Sequence, residues 1–85
     1  MPYHQTSIEP GVLGFFSKIR EEFTEAEDAN NQKCSVMELV ELSDLIGAIE
    51  AYTLKNFNLG IEDLKKFSDI TKSAFQDGTR TPKSQ

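Results

Sequence analysis

From Ser35 to about Asn56 the chain carries apolar side chains at Val36, Leu39, Val40, Leu42, Leu45, Ile46, Ala48, Ile49, Ala51 and Leu54. At about 100° per residue these positions spread almost all round a helix, and a helix of that kind is central and buried. A chain of 85 residues makes one small domain, which alone buries only about 60–65% of the surface its unfolded form exposes. Three helices of this composition cannot cover themselves well. The expectation is an all-α fold, a short helical hairpin plus a third helix, assembling into a multi-subunit helical bundle.

The flanking segments supply the other two helices. Val12, Phe16, Ile19, Phe23 and Ala26 recur at three- and four-residue spacing, which predicts an amphipathic helix from about Pro10 to Ala29 with the proline in its first turn. Asn30 to Lys33 ends it. Ser35-Val36-Met37-Glu38 has the pattern of a capping box that opens the second helix. Asn56 to Gly60 makes the next turn, and Ile61, Leu64, Phe67, Thr71, Ala74 and Phe75 form one stripe on a third helix that stops near Gly78. The predicted organisation is an N-terminal segment 1–9, a single helical domain 10–79 and a disordered tail 80–85.

Charge narrows the partners. Residues 1–60 hold four basic against ten acidic side chains, while 61–85 hold five against four, for a net charge of −5. An acidic body disfavours nonspecific binding to nucleic acid or to an anionic membrane. The first residues lack the basic start and apolar run of a secretory signal, and no uncharged apolar stretch approaches ~18 residues. Cys34 is the only cysteine, so no intrachain disulfide forms, which fits a cytoplasmic protein. Placed just before the capping box, Cys34 reads as a small apolar staple residue with no histidine beside it to activate a thiolate.

The chemistry lies in the acids. Glu22 and Glu25 fall one turn apart at the edge of the first apolar stripe, with Glu21 pointing further round. Glu41 and Asp44 repeat the spacing on the second helix, sharing their side with Met37 and Ala48, and are expected to be at least partly buried. A short connection makes the helices antiparallel, so the two pairs can face each other. Like charges ~4 Å apart repel by about 1 kcal/mol in water and about 4 kcal/mol at an effective dielectric of 20. Such a cluster needs protons or cations, and an oxygen-only set selects hard ions such as Mg²⁺ or Mn²⁺. A solvated acidic face explains Glu21, Glu22, Glu25, Glu27 and Asp28 equally well, but it does not explain acids inside the apolar second helix. A di-iron bundle would want Glu-x-x-His, and the lone histidine, His4, lies in the N-terminal segment.

Glu21-Glu22-Phe23-Thr24-Glu25 followed by Glu41-Leu42-Ser43-Asp44 resembles the paired motif of the MazG-like, all-α nucleoside triphosphate pyrophosphohydrolases over roughly residues 12 to 80. The resemblance implies cleavage between the α- and β-phosphates of a nucleoside triphosphate, giving a monophosphate and pyrophosphate. It implies Glu22, Glu25, Glu41 and Asp44 as Mg²⁺ ligands, with Mn²⁺ a possible substitute. Glu21 becomes an accessory acid that positions or deprotonates the attacking water. The assembly it implies is a homodimer or a tetramer built as a pair of dimers.

An acidic pocket repels a triphosphate unless cations reverse the local sign. Lys65, Lys72 and Arg80, on the mildly basic third segment, are therefore candidates for phosphate contact, the last two within the family-like ending Thr71 to Arg80. Phe15, Phe16 and Tyr52 are candidates by type for stacking on a base. The chain is short for the family, without an extended fourth helix, so a complete pocket requires another subunit. A different class of function is a catalytically silent helical dimerisation module that binds a nucleotide or a protein; another is an acidic nucleic-acid mimic, which the apolar surroundings of Glu41 and Asp44 disfavour.

Overall fold

A computed structural model describes residues 4–76 as three helices, α1 (Phe16–Asn31), α2 (Ser35–Phe57) and α3 (Ile61–Gln76). No strand occurs among the described residues, so the fold is all-α. The expected stop at Gly78, the tail 80–85 and Arg80 lie outside the described residues. No described helix is long and apolar enough to cross a membrane.

α1 and α2 form an antiparallel hairpin. Phe16 at the start of α1 meets Tyr52 near the end of α2, ring edge to face at 5.4 Å, while Asn30 at the other end reaches Glu38 at 3.3 Å. The turn between them depends on Lys33 in the left-handed region (φ 57°), with the Cys34 N–H returning to the Ala29 carbonyl at 3.3 Å. This closes the last turn of α1 and satisfies one of its terminal carbonyls.

The start of α1 and the cap of α2 differ from expectation. α1 begins at Phe16 rather than near Pro10, because Gly14 takes φ 91° and the Gly11 N–H is drawn off to the Glu21 side chain at 2.9 Å. The capping box does not form. Cys34 holds the cap position of α2, Ser35 is already helical, and neither contributes a side-chain cap; the Glu38 carboxylate instead accepts from Asn30. Cys34 is exposed and so is not a buried staple.

The core of the single chain is thin. Ala26, Ala29, Met37 and Ala48 are its buried apolar residues, all small except the methionine. α2, expected to be central, is covered on one side only: Val36, Leu39 and Ile46 remain 75%, 68% and 53% exposed. α1 packs on one stripe of it, and α3 touches α2 alone and buries none of its residues. A pattern apolar on several sides thus meets one full neighbour within the chain.

α3 is fixed at its first turn. Asn58 ends α2 in the left-handed conformation (φ 57°), the Thr53 hydroxyl donates to the Leu59 carbonyl at 2.8 Å, and Glu50 of α2 accepts the Ile61 N–H at 3.0 Å. An acid at a helix N-terminus complements both the free N–H groups and the dipole. Beyond that turn α3 runs free of α1, and its stripe residues Phe67 and Phe75 stay exposed.

Candidate metal centre

The hairpin brings the two acidic pairs to one place. Oxygens of Glu22, Glu41 and Asp44 lie within 4.8 Å of one another, and so do those of Glu21, Glu22 and Glu25. The register does this: α1 presents Glu22 and Glu25 one turn apart, and Glu41 follows Met37 by one turn on the face of α2 that packs against α1. Glu22 is 5% and Glu41 3% exposed. Burial of that degree is unusual for a carboxylate and demands partners.

Asp44 is exposed, contrary to the expected burial. The helices part beside it, where Ser43 and Gly47 leave room and a Cβ at Gly47 would meet open space. Asp44 therefore stands at the edge of a cleft of about 430 Å³ that also reaches Leu13, Lys18, Glu22 and Ala51.

Two cations answer the charge of the cluster. The Lys18 ammonium lies 3.0 Å from Glu21 Oε1 and 3.1 Å from Glu22 Oε2, and hydrogen bonds to both carboxylates raise its pKa above the ordinary lysine range. His4 supplies the second. Its Nε2 lies 3.3 Å from Glu41 Oε2 and 3.6 Å from Glu25 Oε1, while Nδ1 pairs with Asp28 Oδ2 at 2.9 Å. Burial works against the imidazolium, but the Asp28 hydrogen bond and the charges of Glu25 and Glu41 raise its pKa.

Sequence reasoning missed His4, Asp28 and Lys18. Lys18 was visible as the partner four residues before Glu22. His4 was not, for its contacts are 21 or more residues away in the chain and follow no period. Asp28, placed by sequence on a solvated face, is 4% exposed. It accepts from the Gln5 N–H, the Thr6 hydroxyl and the Gln32 amide at 3.1, 3.2 and 2.8 Å. Despite burial, which works the other way, these bonds and the one from His4 lower its pKa.

Three unmet demands remain at the centre. Glu25 has its pKa raised to about 8 by burial, a hydrogen bond with Glu41 and the charge of Glu22, so near neutrality it holds a proton. Glu22 Oε1 and Glu41 Oε1 are buried and have no hydrogen-bond partner among the described residues. A buried oxygen left so costs about 1–3 kcal/mol, more when charged. The donor set and the orphaned oxygens fit a divalent cation, and Glu22 is common to the two all-oxygen groups, one of Glu22, Glu41 and Asp44 and the other of Glu21, Glu22 and Glu25.

Glu21 is differently employed. Its Oε1 accepts the Gly11 N–H at 2.9 Å and the Lys18 ammonium, which together lower its pKa. The single chain does not bring the basic candidates of α3 to the acids: Lys65 pairs with Glu62 at 3.6 Å in solvent, and Lys72 is exposed on a helix that does not touch α1. Phe15 stacks under the Lys55 ammonium at 4.1 Å, and Phe16 and Tyr52 stack on each other.

Comparison with protein-family models, with curated proteins and with solved structures gave no match.

Proposed function

We propose that the chain is a Mg²⁺-dependent nucleoside triphosphate pyrophosphohydrolase that yields a monophosphate and pyrophosphate from a ribo- or deoxyribonucleotide. The observation that carries this reading is the pair of buried oxygens of Glu22 and Glu41 that have no partner among the described residues, Glu22 lining an open cleft. A cleft of about 430 Å³ is within the range of small-molecule sites. The resemblance in the paired motif points the same way.

In this reading Glu22, Glu25, Glu41 and Asp44 hold the ion, which when bound supplies charge neutralisation and substrate orientation. Glu25 would bind the ion as a carboxylate, so its binding would be favoured as pH rises. Glu21 acts at one remove, holding Lys18 and the Gly11 turn against the cluster. Lys18 lines the cleft and is placed to meet phosphate oxygens. Lys65 and Lys72 reach the substrate only from another copy, since α3 does not touch α1, and the bare apolar faces of α2 and α3 favour such an assembly, a homodimer or a pair of dimers; Arg80, outside the described residues, remains a candidate for phosphate contact. Those same faces equally suit a silent dimerisation module.

A panel of ribo- and deoxyribonucleoside triphosphates incubated with Mg²⁺, with products separated by chromatography, decides between the two. Monophosphate and pyrophosphate together support the enzyme. Silence throughout, with Mn²⁺ as well, supports the module.

A further inference from the structure

We infer that His4 is a metal ligand, donating Nε2 to a divalent first-row transition ion shared with Glu25 and Glu41, with Asp28 holding the opposite ring nitrogen. The inference rests on reading the acidic cluster as a metal centre, but not on any catalytic activity.

An ionised Asp28 only accepts hydrogen bonds, so Nδ1 carries a hydrogen and Nε2 is the nitrogen turned to the cluster. A carboxylate gripping the far nitrogen of an imidazole is the usual support of a metal-binding histidine, since it fixes both tautomer and ring orientation. Asp28 is itself fixed by the Gln5 N–H, the Thr6 hydroxyl and the Gln32 amide, so the two residues that follow His4 are tied to the same carboxylate as its ring.

The spacing fits an ion. Ligand atoms about 2.1 Å from a tetrahedral centre lie about 3.4 Å apart, and Nε2 stands 3.3 Å from Glu41 Oε2 and 3.6 Å from Glu25 Oε1. His4, Glu25 and Glu41 form a group whose ligand atoms all lie within 4.8 Å. A second sign of a ligand is independent of these contacts: Glu41, 3% exposed, keeps Oε1 buried and without a partner among the described residues.

The nitrogen changes the selectivity. Oxygen sets suit Mg²⁺, whereas imidazole suits later first-row ions. This corner of the centre should favour Fe²⁺, Co²⁺ or Zn²⁺ over Mg²⁺, with Mn²⁺, which accepts oxygen and imidazole alike, as the paramagnetic probe, while Glu22, Glu41 and Asp44 offer oxygen alone.

The test is Mn²⁺ binding to the untagged full chain, followed by pulsed electron paramagnetic resonance and by calorimetry. His4 is the only histidine, so any imidazole nitrogen coupled to bound Mn²⁺ belongs to it. The expected result is nitrogen coupling in the wild type, absent from His4→Ala, with Mn²⁺ affinity reduced about tenfold or more and Mg²⁺ affinity little changed. Asp28→Asn should weaken Mn²⁺ while keeping the coupling. Circular dichroism checks that both variants remain helical. Tight Mn²⁺ binding with oxygen ligands only would overturn the role of His4 and leave the carboxylate centre intact. No binding of either ion would overturn both.

Discussion

His4 Nε2 lies 3.3 Å from Glu41 Oε2, so the ring of His4 is laid against the most buried acid of α2. With Lys18 against Glu21 and Glu22, two cations meet a group of carboxylates that still holds two oxygens without a partner among the described residues. The predictions below follow from that arrangement.

Metal-free stability should fall as pH rises. The folded pKa of Glu25 is raised from 4.5 to about 8, and that of His4 is raised from 6.5. For both, the folded state binds the proton more tightly, so their stabilisation is full below the unfolded pKa and lost on passing the folded one. Glu21 and Asp28 are lowered and contribute the opposite slope, confined to acid. Thermal melts in chelator should therefore decline from about pH 5 to about pH 8, and Mg²⁺ or Mn²⁺ should offset the decline. A melting temperature that climbs over this range without metal contradicts the account.

Glu25→Gln should stabilise the metal-free protein near neutrality. It makes permanent the neutral form that burial prefers, a gain on the order of 1 kcal/mol or about 5 °C for a domain of this size. The same variant should lose the stabilising response to Mg²⁺. Melts with and without the ion read both effects.

Gly11→Ala should cost about 1–3 kcal/mol, since a Cβ there would sit 2.3 Å from the Ser17 carbonyl oxygen, a backbone atom that cannot swing aside. The turn would leave Glu21, and Lys18 would lose its brace. A lower melting temperature with weaker protection of the Gly11 amide in hydrogen exchange is expected; an unchanged protein would show that Glu21 does not anchor this turn.

Leu39→Glu should lower the mass of the assembly in light scattering while the helical content stays. Leu39 is 68% exposed in the single chain, where such a change costs within about 0.5 kcal/mol. A native mass identical to the wild type would remove α2 from the interface between copies.

The helices were legible in the sequence where local pattern decides them. α2 and α3 start where expected, and the antiparallel facing of Glu22 and Glu25 toward Glu41 followed from three-residue spacing and a short connection. The start of α1 was not legible, because the Gly11 N–H is claimed by a side chain ten residues away and not by its own turn. The Ser35 capping box failed because the left-handed Lys33 turn puts Cys34 at the cap. Apolar periodicity could not say whether Leu39 is covered within the chain or by another copy. Asp44 lies on the periodic face yet opens to the cleft, since Ser43 and Gly47 are too small to close it. His4 carries no periodic signal at all, being tied to Asp28 through tertiary hydrogen bonds.

The central claim is hydrolysis between the α- and β-phosphates, and its most direct measurement is product analysis of a nucleoside triphosphate panel turned over with Mg²⁺ in ¹⁸O-labelled water. The account predicts monophosphate and pyrophosphate in equal amounts, the reaction being abolished by Glu41→Gln and nearly untouched by Glu27→Gln at an exposed position. Diphosphate with orthophosphate, no products, or equal damage from the two substitutions would contradict it.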